Sequence, residues 1–139
     1  MSGPAPSIEL RIGLEGYFER AVLFEYTTAH LDPRLPEIFS TPAMIGMMEA
    51  ATSHAVDGAL GAGKISVGTR IEVDHVKSAR LGAMIVSTAR LVEIKGRYLT
   101  FEVESRDGDV VLGRGRIVRA IVDLARVQSM LAQNPRASQ

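Results

Sequence analysis

The feature that most constrains this chain is its imbalance of helix and strand. One helical run, residues 42–59, is set against four extended segments, 66–77, 83–95, 98–106 and 109–123, rich in Val, Ile and Thr. β-Branched residues suit a pleated, half-buried surface. The breaks fall at Leu81-Gly82, Gly96 and Asp107-Gly108, where glycine permits sharp reversals. A meander of long antiparallel strands is therefore expected. Upstream, residues 21–28 put Val22, Phe24 and Tyr26 on alternate positions, which reads as a first strand, and a loop with Asp32, Pro33 and Pro36 follows. Residues 123–132 have the composition of a short closing helix. The pattern predicts an α+β fold. One helix cannot cover both faces of such a sheet, so a homodimer, or a higher oligomer, is expected to complete the covering.

The helix has a well-marked start and stop. Thr41 is placed to cap it and Pro42 suits the first helical position, where a missing N–H costs nothing. Ile45, Met48, Thr52, Ala55, Val56 and Ala59 form a packing stripe, and Gly58, Gly61 and Gly63 end the run. At 139 residues the chain is the size of one domain, expected over 9–133, with loose tails at 1–8 and 134–139.

Composition excludes several functions. Lys plus Arg equals Asp plus Glu at 16 each, so the chain lacks the basic excess of a nucleic-acid binder. No cysteine is present, which rules out disulfides, Cys-ligated zinc and a thiolate nucleophile, and fits a reducing, cytoplasmic setting. The N-terminus does not read as a secretory signal, and every apolar run is too short to cross a membrane. The segment from Gly58 to Ile65 nearly spells a phosphate-binding loop, but Ile65 replaces the hydroxyl residue and the segment leads from helix to strand, the reverse of what that loop needs. His30, His54 and His75 lack metal-ligand spacing, so neither a metal nor another cofactor is expected.

Three residues stand out chemically, each with a plainer account beside it. A period of two puts Val67, Thr69, Ile71, Val73 and His75 on one strand face, so His75 ends a core-facing row. It is either a margin histidine satisfied by backbone or an imidazole awaiting a carboxylate or hydroxyl. Glu49 interrupts an apolar helical stretch as its lone charge, and is either a solvent-facing residue or a partly buried carboxylate. Thr41 serves the cap, beside helix amides that suit an oxyanion. Arg114 and Arg116 share one strand face and Arg119 takes the other; such arginines suit solvent or the phosphates of a ligand.

Together these residues form a pattern. The segment from Phe39 to Ala50, with Val67-Gly68-Thr69 and Val73-Asp74-His75 downstream, resembles the fluoroacetyl-CoA thioesterase family, and the likeness covers nearly the whole chain. The resemblance implies a hotdog fold, a long helix wrapped by a curved antiparallel sheet, paired as a dimer with active sites near the interface. It implies hydrolysis of a short acyl-CoA by Thr41, Glu49 and His75, with Glu49 either attacking the thioester or activating water. Gly68 and Arg119 fall where the family has a glycine and an arginine, and with Leu35 and Met44 they are the expected substrate-binding positions. Where the fluoroacetyl-specific enzyme has a pair of gating phenylalanines, this chain has Asp32 and Leu35. A hotdog hydratase or dehydratase and a non-catalytic acyl-CoA-binding dimer are the alternatives.

Overall fold

The computed structural model describes residues 8–133. Of the expected tails, 1–8 and 134–139, residues 1–7 and 134–139 lie outside the described residues, while Ile8 donates its backbone N–H to the Gly58 carbonyl at 3.2 Å. Strand β1 (Glu15–Ala21) is followed by a single-turn helix α1 (Thr28–Leu31) and the long helix α2 (Thr41–Val56). Strands β2 (Lys64–His75), β3 (Met84–Lys95), β4 (Tyr98–Asp107) and β5 (Val110–Asp123) come next, and helix α3 (Leu124–Gln133) closes the order. All the strands pair antiparallel in one sheet, ordered β1-β3-β4-β5-β2. No helix among the described residues is long and apolar enough to cross a membrane.

Two expectations about the strands need correction. The first strand lies at 15–21 rather than 21–28, and Phe24–Tyr26 instead form a 3-10 turn. Charged residues at Glu15, Glu19 and Arg20 hide the strand from a hydrophobicity reading. What fixes its place is Gly16, where a Cβ would collide with the Ala51 carbonyl oxygen of α2. A glycine is needed where two backbones approach this closely. Secondly, only β3, β4 and β5 form the meander, turning at Gly96 (φ +59°) and Gly108 (φ +58°). Strand β2 pairs with β5, and the connection 76–83 crosses back to β3, held where Phe39 N–H donates to Ala79 O at 2.8 Å.

Helix α2 lies on the inner face of the sheet. Its Met44, Met47, Met48, Ala51, Ala55 and Val56 are buried in one cluster with Leu91, Leu99, Phe101 and Ile117 of the strands. The outer face carries ion pairs, Arg114 with Glu104 at 3.4 Å and Arg116 with Glu102 at 3.5 Å. An antiparallel sheet tolerates water on one side. Along the edge strand β2 and just beyond it, Val67, Ile71 and Val76 are among the exposed apolar side chains.

Candidate active site

At the start of α2 the cap is Ser40, not Thr41. The Ser40 backbone is extended (φ −82°, ψ 152°), and its Oγ accepts from Ala43 N–H at 3.2 Å. That bond occupies the capping role and leaves the Thr41 hydroxyl free for another partner. The partner is His75, whose Nδ1 lies 2.7 Å from Thr41 Oγ1. The Phe39 ring meets the imidazole edge-on, with centroids 6.2 Å apart. His75 Nε2 is buried and has no hydrogen-bond partner among the described residues. Burial pushes the His75 pKa below its usual 6.5, with the Lys77 backbone acting partly the other way. The ring is thus neutral near pH 7, one nitrogen engaged and the other unclaimed.

Two helical turns on, Glu49 meets a different set of groups. Arg119 donates from Nη1 to Glu49 Oε2 at 3.3 Å, from Nε to Ser66 Oγ at 2.8 Å and from Nη2 to Ser66 O at 2.7 Å. The Arg119 side chain is 8% exposed and that of Glu49 35%, so the carboxylate keeps an open side while the guanidinium does not. Burial pulls the Arg119 pKa down, and the charges of Glu49 and Asp57 hold it up. A guanidinium so placed stays cationic. Gly68 leaves the space for this carboxylate, because a Cβ there would stand 2.6 Å from Glu49 Oε2.

A register shift in β2 between Gly68 and Arg70 makes this arrangement possible. An extra residue lets the strand change which parity faces inward. Ser66 and Gly68 face α2 before the shift, paired with Ile121 and Arg119; Ile71, Val73 and His75 share a face after it. The expected single row of Val67, Thr69, Ile71, Val73 and His75 is thereby split. Because α2 and β2 run in opposite directions, Thr41 meets His75 at one end of their shared groove and Glu49 meets Gly68 at the other. Eight residues of helix separate the two groups by about 12 Å. No hydrogen bond or ion pair joins Glu49 to Thr41 or His75 among the described residues.

The remaining sequence candidates lie elsewhere. Met44 is fully buried, with its sulfur directly over Gly113, so it packs the core. Leu35 is exposed beside a cleft formed with Phe24, His30 and Pro33. His54 Nδ1 bonds the Tyr17 carbonyl at 2.7 Å and ties α2 to β1. Gly61 and Gly63 take positive φ (83° and 76°) in the turn that mimicked a phosphate loop. Ser40 and Ser66 were not foreseen. Ser40 had a local signal, a cap residue before Thr-Pro, whereas Ser66 had none.

The model of the family described as fluoroacetyl-CoA-specific thioesterase matches residues 15–125. A fluoroacetyl-CoA thioesterase from Streptantibioticus cattleyicolor is 32% identical over 130 residues, covering 89% of this chain and 94% of the relative. This chain belongs to the fluoroacetyl-CoA-specific thioesterase family. The solved structure of a fluoroacetyl-CoA thioesterase superposes with a TM-score of 0.84 at 31% identity, over 91% of this chain and 98% of that one. A thioesterase superfamily member from Thermus thermophilus gives 0.83 at 25% identity, over 91% and 94%. The fold is the hotdog fold. Relative to the phenylalanine pair that the resemblance led one to look for, this family member has Asp32 bonded to Arg34 at 2.8 Å and Leu35 turned to solvent.

Proposed function

We propose that this chain is a thioesterase that hydrolyses a short acyl-CoA to the free acid and CoA, with Thr41, Glu49 and His75 as its catalytic residues. The observation that carries the reading is the pairing of Thr41 Oγ1 with His75 Nδ1 at 2.7 Å, which leaves a buried Nε2 unclaimed. With Thr41 donating to Nδ1, the neutral ring carries its proton on Nε2, which is left as a hydrogen-bond donor for bound substrate. Glu49, steadied by Arg119 and Ser66, supplies the attack.

Two routes for Glu49 balance. As a base it takes a proton from water while the water oxygen bonds to the carbonyl carbon; the C–S bond then breaks and the departing thiolate takes that proton back from the Glu49 carboxyl. As a nucleophile its oxygen forms the new bond to the carbonyl carbon, CoA leaves as a thiolate that is protonated from solvent, and water then cleaves the anhydride to the free acid and the Glu49 carboxylate. Rapid quenching and intact-mass measurement separate them, since only the second route leaves an acyl adduct on Glu49.

The reading extends to a cytoplasmic homodimer whose edge strands β2 meet, burying Val67 and Ile71; an unpaired apolar edge is a template for self-pairing. Release of free thiol from acetyl-, fluoroacetyl-, branched and aromatic acyl-CoA is the direct test. Undiminished turnover in both Glu49→Gln and His75→Ala would remove these residues from the mechanism. Hydroxyacyl-CoA formed from an enoyl-CoA without free thiol would indicate a hydratase instead.

A further inference from the structure

The two oxygens of the Glu49 carboxylate are not equivalent. Oε2 accepts from Arg119 Nη1 at 3.3 Å and lies over Gly68, whose missing Cβ leaves it room. Oε1 has no hydrogen-bond partner among the described residues and stays open to solvent, on a side chain that is 35% exposed. The asymmetry does not come from the pair itself, because a guanidinium and a carboxylate readily join at two points, through parallel N–H···O bonds. Here the fork is engaged elsewhere. Nε and Nη2 form one edge of the guanidinium, and both donate to a single residue, Ser66: Nε to its hydroxyl at 2.8 Å and Nη2 to its backbone carbonyl at 2.7 Å. Nη1 alone reaches Glu49.

Strand register lets one residue capture that edge. Arg119 pairs with Gly68 across β5 and β2, and Ser66 lies two residues along β2, at the diagonal position a long side chain can span. With no side chain at Gly68, the space directly opposite is filled by Oε2, and Arg119 leans past it to Ser66. Asp57 also acts on the guanidinium, but through space, with no bond to it among the described residues. We infer that Ser66 is a positioning residue that holds Arg119 to a single contact with Glu49, so that Oε1 is the oxygen that takes the proton from water or bonds to the thioester carbonyl carbon. This role for Oε1 rests on the thioesterase reading of Glu49, whereas the hold of Ser66 on Arg119 can be measured without turnover. Without the Ser66 hydroxyl, Nε loses its acceptor on a side chain only 8% exposed, an unfavourable state for a charged donor. The guanidinium then turns about its remaining bond to the Ser66 carbonyl and offers a second N–H to the carboxylate, which covers Oε1.

Ser66→Ala, Ser66→Thr and Arg119→Lys test this in the full chain, with thiol release from the acyl-CoA turned over fastest as the assay and unfolding midpoints measured alongside. Ser66→Ala should lower kcat about tenfold with KM little changed, the size expected for losing one hydrogen bond to a charged group. Ser66→Thr keeps the hydroxyl on a residue suited to a strand, and should recover most of that loss. Arg119→Lys supplies a point charge with no second edge, so adding Ser66→Ala to it should cost no more than about twofold further. Equal losses from Ser66→Ala in both backgrounds would overturn the assignment. So would a loss confined to KM, or no recovery in Ser66→Thr at an unchanged midpoint. Nitrogen NMR of the arginine Nε–H groups reads the contact directly: the Arg119 signal should move in Ser66→Ala and return in Ser66→Thr, and a signal unmoved by Ser66→Ala would refute the hold on the fork. Turnover undiminished in Glu49→Gln would remove the role of Glu49 itself, whereas turnover lost in Glu49→Gln but untouched in Ser66→Ala would overturn the role of Ser66 alone.

Discussion

Adjacent hydroxyls at the start of α2 divide two tasks, and their substitutions should separate cleanly. Ser40→Ala removes the bond to Ala43 N–H and should cost about 1 kcal/mol of stability in denaturant unfolding, while most turnover remains. Thr41→Ala leaves that cap in place and should lower kcat about a hundredfold with little change in the unfolding midpoint. Equal stability losses in the two variants would return the capping role to Thr41. Gly68→Ala probes the other end of the groove. Its Cβ would meet only the far end of the flexible Glu49 side chain, at 2.6 Å, so the fold should survive while the carboxylate moves. A displacement of about 1 Å in a catalytic group can cost a hundredfold. Near-normal kcat with a normal melting curve would show that the position of Glu49 is not critical.

His75 sets a pH dependence at the same scale. Burial lowers its pKa below 6.5, so the neutral ring persists into mildly acidic solution, and activity should decline only below that value. The sign for stability follows from the same shift. Between the lowered folded value and 6.5 the unfolded chain binds more protons, so the contribution is complete above 6.5 and is lost as pH falls through that window. Comparing unfolding midpoints of the wild type and His75→Gln across pH 4–8, roughly the range in which histidine titrates, reads this directly. A difference between them that does not vary with pH would count against it.

At the scale of elements, the contact between β1 and α2 depends on Gly16. A Cβ at that position runs into helix backbone, at Ala51 O, rather than into a side chain that can turn away. Gly16→Ala should therefore cost about 1–3 kcal/mol, the usual range for overpacking. An unchanged midpoint would mean that β1 can lift from the helix without loss. Strand β2 plays the opposite part, since it buries little but carries Ser66, Gly68 and His75 past the whole length of α2. Its register shift is what lets residues of both parities serve one groove.

For the whole molecule, the outer sheet face carries the Arg114–Glu104 and Arg116–Glu102 pairs, and the β2 edge leaves Val67 and Ile71 exposed. Light scattering at micromolar concentration should give twice the mass of one chain; a monomer would remove the proposed interface. Much of this architecture was legible in the amino-acid sequence. The ends of α2, the turns at Gly96 and Gly108 and the extents of β3, β4 and β5 follow from caps, glycines and side-chain alternation, which act over a few residues. Thr41, Glu49 and His75 stood out through their spacing and surroundings. Tertiary structure alone decided that β2 joins β5 rather than β3 and that β1 begins before residue 21. It also assembled the clamp on Glu49, whose bonds join residues 53 and 70 positions apart. No local propensity encodes such pairings, because they form only when the whole sheet closes around the helix and brings distant strands into register.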